Sequence, residues 1–198
     1  MENKINIKEI VKVGAILFLI TALSAALLAF VNGKTAPLIE KNSLIKEQDA
    51  LRNVMPMAAE FTEYEFPATS SFGGGKKNYV AYDESKNVIG ACIITETTGY
   101  DVGIQTVTGV DTNLKVTGVD IIAMNETPGL GAKASEQSFR DQYIGKSGEI
   151  GVSKGAPSDT DIQAISGATK TSNGVTEGVN QALMTAEHIL EEVANDGE

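Results

Sequence analysis

The chain of 198 residues has one cysteine, one histidine and no tryptophan. A lone cysteine closes no internal disulfide and builds no multi-thiolate metal or iron–sulfur centre. Cys92 stands in the apolar run Val-Ile-Gly-Ala-Cys-Ile-Ile, the setting of a buried structural thiol. His188 falls on a helical pattern near the C-terminus, and a single histidine excludes a His-based metal cluster. Redox chemistry in such a chain has to come from an organic cofactor. Positive charge is also scarce: Lys and Arg number 16 against 26 Asp and Glu, a net charge of -10. From Thr35 onward the count is 12 against 24, or -12. That balance disfavours nucleic acid, whose phosphates would be repelled. The length suits one sizeable domain with an appendage.

Long apolar runs are missing but for one. Residues 13–31, VGAILFLITALSAALLAFV, carry no charge. At ~1.5 Å per residue this run spans roughly 28 Å, close to the hydrocarbon thickness of a bilayer. A cleaved signal peptide is the rival reading, with Ser24-Ala25-Ala26 imitating a cleavage site. The run continues past that site, which favours a retained anchor. Ala22/Ala26 and Ala25/Ala29 have the spacing that lets a second helix approach. Lys4, Lys8 and Lys12 precede the run and Lys34, Lys41 and Lys46 follow it, so flanking charge assigns no side of the membrane.

The remainder reads as an α+β domain. The expected organisation is a tail at 1–12, a transmembrane helix at 13–31, an amphipathic helix and linker at 32–77, and a folded domain at 78–198. The amphipathic helix is expected to begin after Pro37, with Leu38, Ile39, Leu44, Ile45 and Leu51 as its apolar face. Residues 61–77 read as irregular, with a glycine-rich loop at 70–75 that lacks P-loop spacing. Strand patterns follow at 78–83, 88–95, 103–111 and 115–123, with hairpin connections at 83–87 and 111–113, so an antiparallel meander is expected. A loop rich in Gly and Pro leads to a short helix at 135–143, and residues 145–161 hold one short strand. A final helix is predicted over about 173–194, where Val175, Val179, Ala182, Ala186, Ile189 and Val193 recur at helical spacing.

Just ahead of that last helix stands Ser166-Gly167-Ala168-Thr169. Thr171 or Ser172 is the expected cap of the helix, whose first N–H groups have no partners in the helix itself. Those donors and the helix macrodipole favour a phosphate. Gly167 and Ala168 leave the backbone bare, and Thr169 presents a hydroxyl beside the anion position. The bland alternative is a polar turn that only caps a helix.

The tetrapeptide, followed by Lys170-Thr171-Ser172, resembles the flavinylation motif of the FMN-binding domain family. Glu126-Thr127-Pro128-Gly129-Leu130-Gly131 and Thr98-Gly99-Tyr100 resemble its upstream motifs. Their order, behind a single membrane span, is similar to that in G subunits of Rnf electron-transport complexes and C subunits of sodium-translocating NADH:quinone reductases. The resemblance implies an FMN-binding domain with an antiparallel sheet and flanking helices. It implies FMN joined by a phosphoester to Thr169, through a separate Mg-dependent flavin transferase that takes the group from FAD. Ser166, Gly167, Ala168 and Thr171 would surround the phosphate. Thr127, Gly129 and Leu130 would lie along the flavin ring, with Glu126 bracing the loop and Lys133 or Lys154 offsetting charge. Gln163 stands where many members have Asp. The expected partners are the other membrane and iron–sulfur Rnf subunits, with the soluble domain on the extracytoplasmic side. A membrane-tethered flavin shuttle outside Rnf is the alternative, and a non-redox interaction domain a third class.

Overall fold

The computed structural model describes residues 7–66 and 75–196. Most of the expected glycine-rich loop, residues 70–74, lies outside them. Two compact units are present, Met1–Ile45 and Lys46–Glu198.

The first unit is helical throughout its described part. It belongs to α1, Ile7–Val54. Ile16, Leu17, Phe18, Leu19, Leu23, Leu27 and Phe30 are all exposed, so this stretch of the helix is apolar on every side. A surface of that kind is matched to hydrocarbon rather than water. Among the described residues this is the one helix long and apolar enough to cross a membrane. The hydroxyl of Thr21 is satisfied within the helix by donation to the Leu17 carbonyl at 3.0 Å.

The expected break between a span and a second helix is not observed, because Pro37 lies inside α1. A proline there forfeits the bond to the Gly33 carbonyl, a cost of about 3 kcal/mol or more, which the bonds of a 48-residue helix on both sides outweigh. The expected apolar face also changes. Leu38, Ile39, Leu44 and Ile45 are exposed, and only Leu51 of that set is buried. The buried stripe consists of Glu47, Ala50, Leu51 and Val54, at i, i+3, i+4 and i+7. Glu47 hides it from a hydropathy reading. Its carboxylate accepts from Lys77 Nζ at 2.9 and 3.0 Å and from the Tyr79 hydroxyl, so the charge is buried with partners. The second compact unit therefore begins at Lys46 rather than at residue 78.

Its centre is a five-stranded antiparallel sheet in sequence order: β1 (Glu60–Glu63), β2 (Lys77–Tyr82), β3 (Val88–Thr98), β4 (Val102–Asp111) and β5 (Val116–Ala123). The meander is the expected one. β1 is additional, a short polar edge strand that overlaps the start of the stretch read as irregular. Two turns of like design join β2 to β3 and β4 to β5. Asp83 Oδ1 accepts from the N–H groups of Ser85 and Asn87, and Asp111 Oδ1 from those of Asn113 and Lys115.

Alternation along β3 explains its unbroken apolar run, since both of its faces are covered. Ala91 and Ile93 pack toward α3 (Thr169–Asp196), while Cys92 and Ile94 pack with Ala50, Leu51 and Val54 of α1. The end of α1 approaches through the register pair Gly109 and Gly118, where a Cβ would collide with Val54 backbone atoms. Thr117 Oγ1 donates to the Val54 carbonyl at 2.7 Å beside them. On the opposite face α3 buries Val175, Val179, Ala182, Leu183, Ala186 and Ile189. Each buried Val, Leu or Ile among them contributes up to ~1.5–3 kcal/mol, so packing rather than propensity holds this helix.

The single helix expected at 135–143 is replaced by two 3₁₀ turns, Gly131–Ser135 and Asp141–Tyr143, flanking a four-residue α2, Gln137–Arg140. Beyond them, β6 (Gly151–Ser153) and β7 (Asp161–Gln163) form a small parallel pair. β7 then leads directly into α3, so the 161–169 stretch is tied down at both ends.

Candidate functional site

α3 starts at Thr169, four residues earlier than predicted. Thr171 and Ser172 therefore lie in its first turn, and Ala168 occupies the capping position. Ser172 Oγ accepts from Ile165 N at 3.0 Å and donates to the Ala168 carbonyl at 3.1 Å, which folds the preceding loop onto the helix. Gly167, at φ 77°, supplies the left-handed residue that this turn needs. The first bond into the helix runs from Ser172 N to the Ala168 carbonyl at 3.0 Å. The N–H groups of Thr169, Lys170 and Thr171 precede it, and alanine has no side-chain oxygen to offer them. The helix thus opens on three free donors with a threonine hydroxyl beside them.

Glu126 ties this opening to two other segments. Its Oε1 accepts from the backbone N–H groups of Tyr100 and Asp101 at 2.9 and 3.3 Å, and its Oε2 from Thr171 Oγ1 at 2.9 Å. The carboxylate needs bare backbone around it. A Cβ on Gly99 would strike Oε1, and one on Gly131 would strike Oε2 and Thr171 Oγ1. Glycine at both places is therefore a packing requirement. The loop after β5 turns at Gly129, φ 80°, and closes through Leu130 N to the Thr127 carbonyl at 3.1 Å.

Between these segments lies a cleft of about 530 Å³, lined by Tyr100, Glu126, Thr127, Leu130, Gly131 and the run from Gly167 to Thr171. That volume is in the range of small-molecule sites. Tyr100 is 77% exposed and Leu130 46%, giving the rim one aromatic and one aliphatic wall. Lys170 Nζ stands 6.0 Å from the centroid of the Tyr100 ring.

The three motifs singled out in the sequence thus meet in one place. Glu126, Thr127, Leu130, Gly167, Ala168, Thr169 and Thr171 line the cleft. Ser166 is exposed and Gly129 lies in the supporting turn; neither is among the lining residues. Thr171 has committed its proton to Glu126, so its hydroxyl acts in support of the loop. Lys133 lines a separate, smaller depression with Gln163, and Lys154 is exposed on the loop after β6. The cation of the cleft is Lys170. Sequence reasoning misses it because a helix start near residue 173 leaves Lys170 in a loop of no set direction. Tyr100 and Gly131 stand inside quoted motifs, and proximity to Glu126 is what marks them.

Free N–H donors at a helix start, a bare approach, a hydroxyl nucleophile and flat apolar walls fit an aromatic ligand carrying a phosphate. The fold and this cleft define an FMN-binding domain: residues 99–184 match the family model described as the FMN-binding domain, and residues 1–54 match that of the RnfG N-terminal region. The chain is 37% identical to the G subunit of the Na(+)-translocating ferredoxin:NAD(+) oxidoreductase complex of Acetobacterium woodii, over 96% of this chain and 99% of the relative. It is 32% identical to the G subunit of the proton-translocating ferredoxin:NAD(+) oxidoreductase complex of Clostridium ljungdahlii, over 81% and 83% respectively. Among solved structures, the C subunit of the Na(+)-translocating NADH-quinone reductase from Parabacteroides distasonis shares the fold, with TM-score 0.58 at 19% identity over 77% of this chain and 95% of that one. The chain belongs to the G-subunit family of the Rnf-type ion-translocating oxidoreductases.

Proposed function

We propose that this chain is the electron-transfer subunit of a membrane complex coupling ferredoxin and NAD redox chemistry to ion translocation, and that it carries FMN joined through its phosphate to Thr169. The observation that carries the reading is the convergence of the Thr169 hydroxyl, the free N–H groups of the α3 start and the Glu126–Gly131 loop on one cleft. The donors of Thr169, Lys170 and Thr171 would hold the phosphate, and Thr127, Leu130 and Tyr100 would flank the ring. When bound, FMN supplies one- and two-electron transfer, which the side chains of this chain do not.

Within that arrangement Glu126 holds the Tyr100 loop and the helix start in fixed relation, so the two ends of the ligand are positioned together. Gly167 keeps the approach to Thr169 clear. Thr169 serves as the acceptor hydroxyl for a separate flavin transferase: its oxygen bonds the FMN phosphorus of FAD as its proton is lost, the pyrophosphate link breaks, and AMP leaves. α1 anchors the domain to the bilayer, with the domain on the extracytoplasmic face. Covalent attachment suits a site where lost cofactor is not readily replaced. Iron–sulfur and integral membrane subunits of the complex would be the electron-transfer partners.

Intact mass spectrometry of the chain co-expressed with a flavin transferase tests this. An FMN increment on the peptide bearing Thr169, absent from Thr169→Val, is the expected result. An unmodified wild-type chain under those conditions overturns the reading.

A further inference from the structure

Lys170 is the one ammonium among the described residues that line the cleft. It takes no part in the ion pairs of those residues, which are Lys76–Glu96, Lys77–Glu47, Lys86–Glu60 and Arg140–Asp120. The carboxylate of the cleft, Glu126, forms no direct ion pair with it: its oxygens accept from the Tyr100 and Asp101 N–H groups and from Thr171, so its charge sits at the bracket and not on the ammonium. What steadies the ammonium is the face of Tyr100. The side chain is exposed, and its ammonium lies on the wall of the cleft beside that ring.

Successive side chains on a helix diverge by about 100°, so Lys170 does not project along the Thr169 side chain. The phosphate position is already served by the backbone donors and the macrodipole. Lys170 is held to one side, against the aromatic wall where a ligand's ring would lie. Its charge is thereby placed for the ring rather than for the phosphate.

We propose that Lys170, steadied on Tyr100, is the electrostatic partner of the flavin ring and raises its reduction potential. The proposal rests on the flavin reading above and adds a residue to it. Uptake of two electrons and one proton, the electrons coming from an iron–sulfur or flavin donor of the complex, leaves one net negative charge on the ring. A nearby ammonium favours that charged form over the neutral oxidised form, and therefore draws the equilibrium toward reduction. Sulfite, which bonds to the oxidised ring and also leaves negative charge on it, would be held more tightly for the same reason. Arginine at this position keeps both the charge and the stacking on an aromatic ring, whereas glutamine keeps only a polar chain.

The test compares full-length wild type, Lys170→Gln and Lys170→Arg, each co-expressed with a flavin transferase and checked by intact mass. The potential is measured against a reference dye with dithionite as reductant, and the sulfite dissociation constant is measured on the oxidised protein. Lys170→Gln is expected to shift the potential to a more negative value and to weaken sulfite binding several-fold, with Lys170→Arg restoring both. Tyr100→Leu, which frees the ammonium without removing it, shifts the potential the same way by less. Flavin-loaded Lys170→Gln with the wild-type potential and sulfite affinity overturns the proposal while leaving the flavin reading intact. A wild-type chain without the mass increment overturns the flavin reading, and this proposal with it.

Discussion

Thr171 Oγ1 donates to Glu126 Oε2 at 2.9 Å and so joins the first turn of α3 to the loop that follows β5, across 45 residues of sequence. The other oxygen of the same carboxylate receives the Tyr100 and Asp101 N–H groups, so a single side chain fastens all three walls of the cleft. Glu126→Ala should leave the sheet folded but lower stability by about 1–2 kcal/mol, the loss being moderated by the access of water to the released donors. Flavin incorporation should fall sharply. Glu126→Gln retains an acceptor for only one side of the bracket and should fall between the two. Urea titration with parallel intact mass measures both quantities; an Ala variant that incorporates flavin like wild type refutes the bracing role.

Gly129 and Gly131 make a matched pair of tests. A Cβ at Gly129 meets nothing within 4 Å, but φ is 80°, so Gly129→Ala should cost about 1–2 kcal/mol of backbone strain with the cleft intact. At Gly131 the Cβ would strike the Glu126 carboxylate and the Thr171 hydroxyl, so Gly131→Ala must displace the bracket itself. Incorporation should survive the first substitution and fail in the second. Equal loss in both would mean that the loop, and not the bracket, governs the site.

The meander, its two hairpin turns and the last helix are readable in the sequence because alternation, Asp-led turns and a 3.6-residue period are local signals. The same holds for the motifs around Gly99, Glu126 and Thr169, although their meeting point is a tertiary fact. Other features are set by long-range contacts or cooperativity and are not readable. Local cost argues for a break at Pro37, whereas cooperativity along α1 decides the outcome. The buried stripe of α1 contains Glu47, whose burial depends on Lys77 and Tyr79 thirty residues further along. The start of α3 is expected four residues late because Thr171 and Ser172 are good capping residues by type. In the folded chain both hydroxyls are spent on other partners.

Beneath α3, Thr95, Thr106 and Thr108 bury hydroxyls that have no hydrogen-bond partner, while Thr97 Oγ1 on the same face donates to the Gly174 carbonyl at 2.8 Å. Thr106→Val removes an uncompensated polar group and should raise stability by about 1 kcal/mol. Thr97→Val removes a buried bond, although the Gly174 carbonyl keeps its partner within α3, and should lower stability by a similar amount, about 1 kcal/mol. The pair should move the urea midpoint in opposite directions with unchanged slope. A loss of stability in Thr106→Val would mean that its hydroxyl is satisfied, for instance by internal water.

Cys92 is fully buried between the sheet and the end of α1, and burial pushes its thiol from 9.0 up to about 12. The unfolded chain therefore releases this proton first. Its contribution to stability is complete below the unfolded value and is lost progressively as pH rises toward the folded one. Between about pH 7.5 and about pH 9.5 the thiol should remove about 1 kcal/mol of unfolding free energy, with a slope bounded by ~1.4 kcal/mol per pH unit. Tyr143, raised by burial, and Tyr79, raised by burial and by Glu47, add their own losses mainly at higher pH, so the difference between wild type and Cys92→Ala carries the thiol's share. Cys92→Ala should be less stable at neutral pH because it leaves a small void, yet its stability should decline less steeply across the same interval. Urea titrations of both proteins at the two pH values measure the difference in slope. Parallel declines would show that the thiol does not couple to folding in this range.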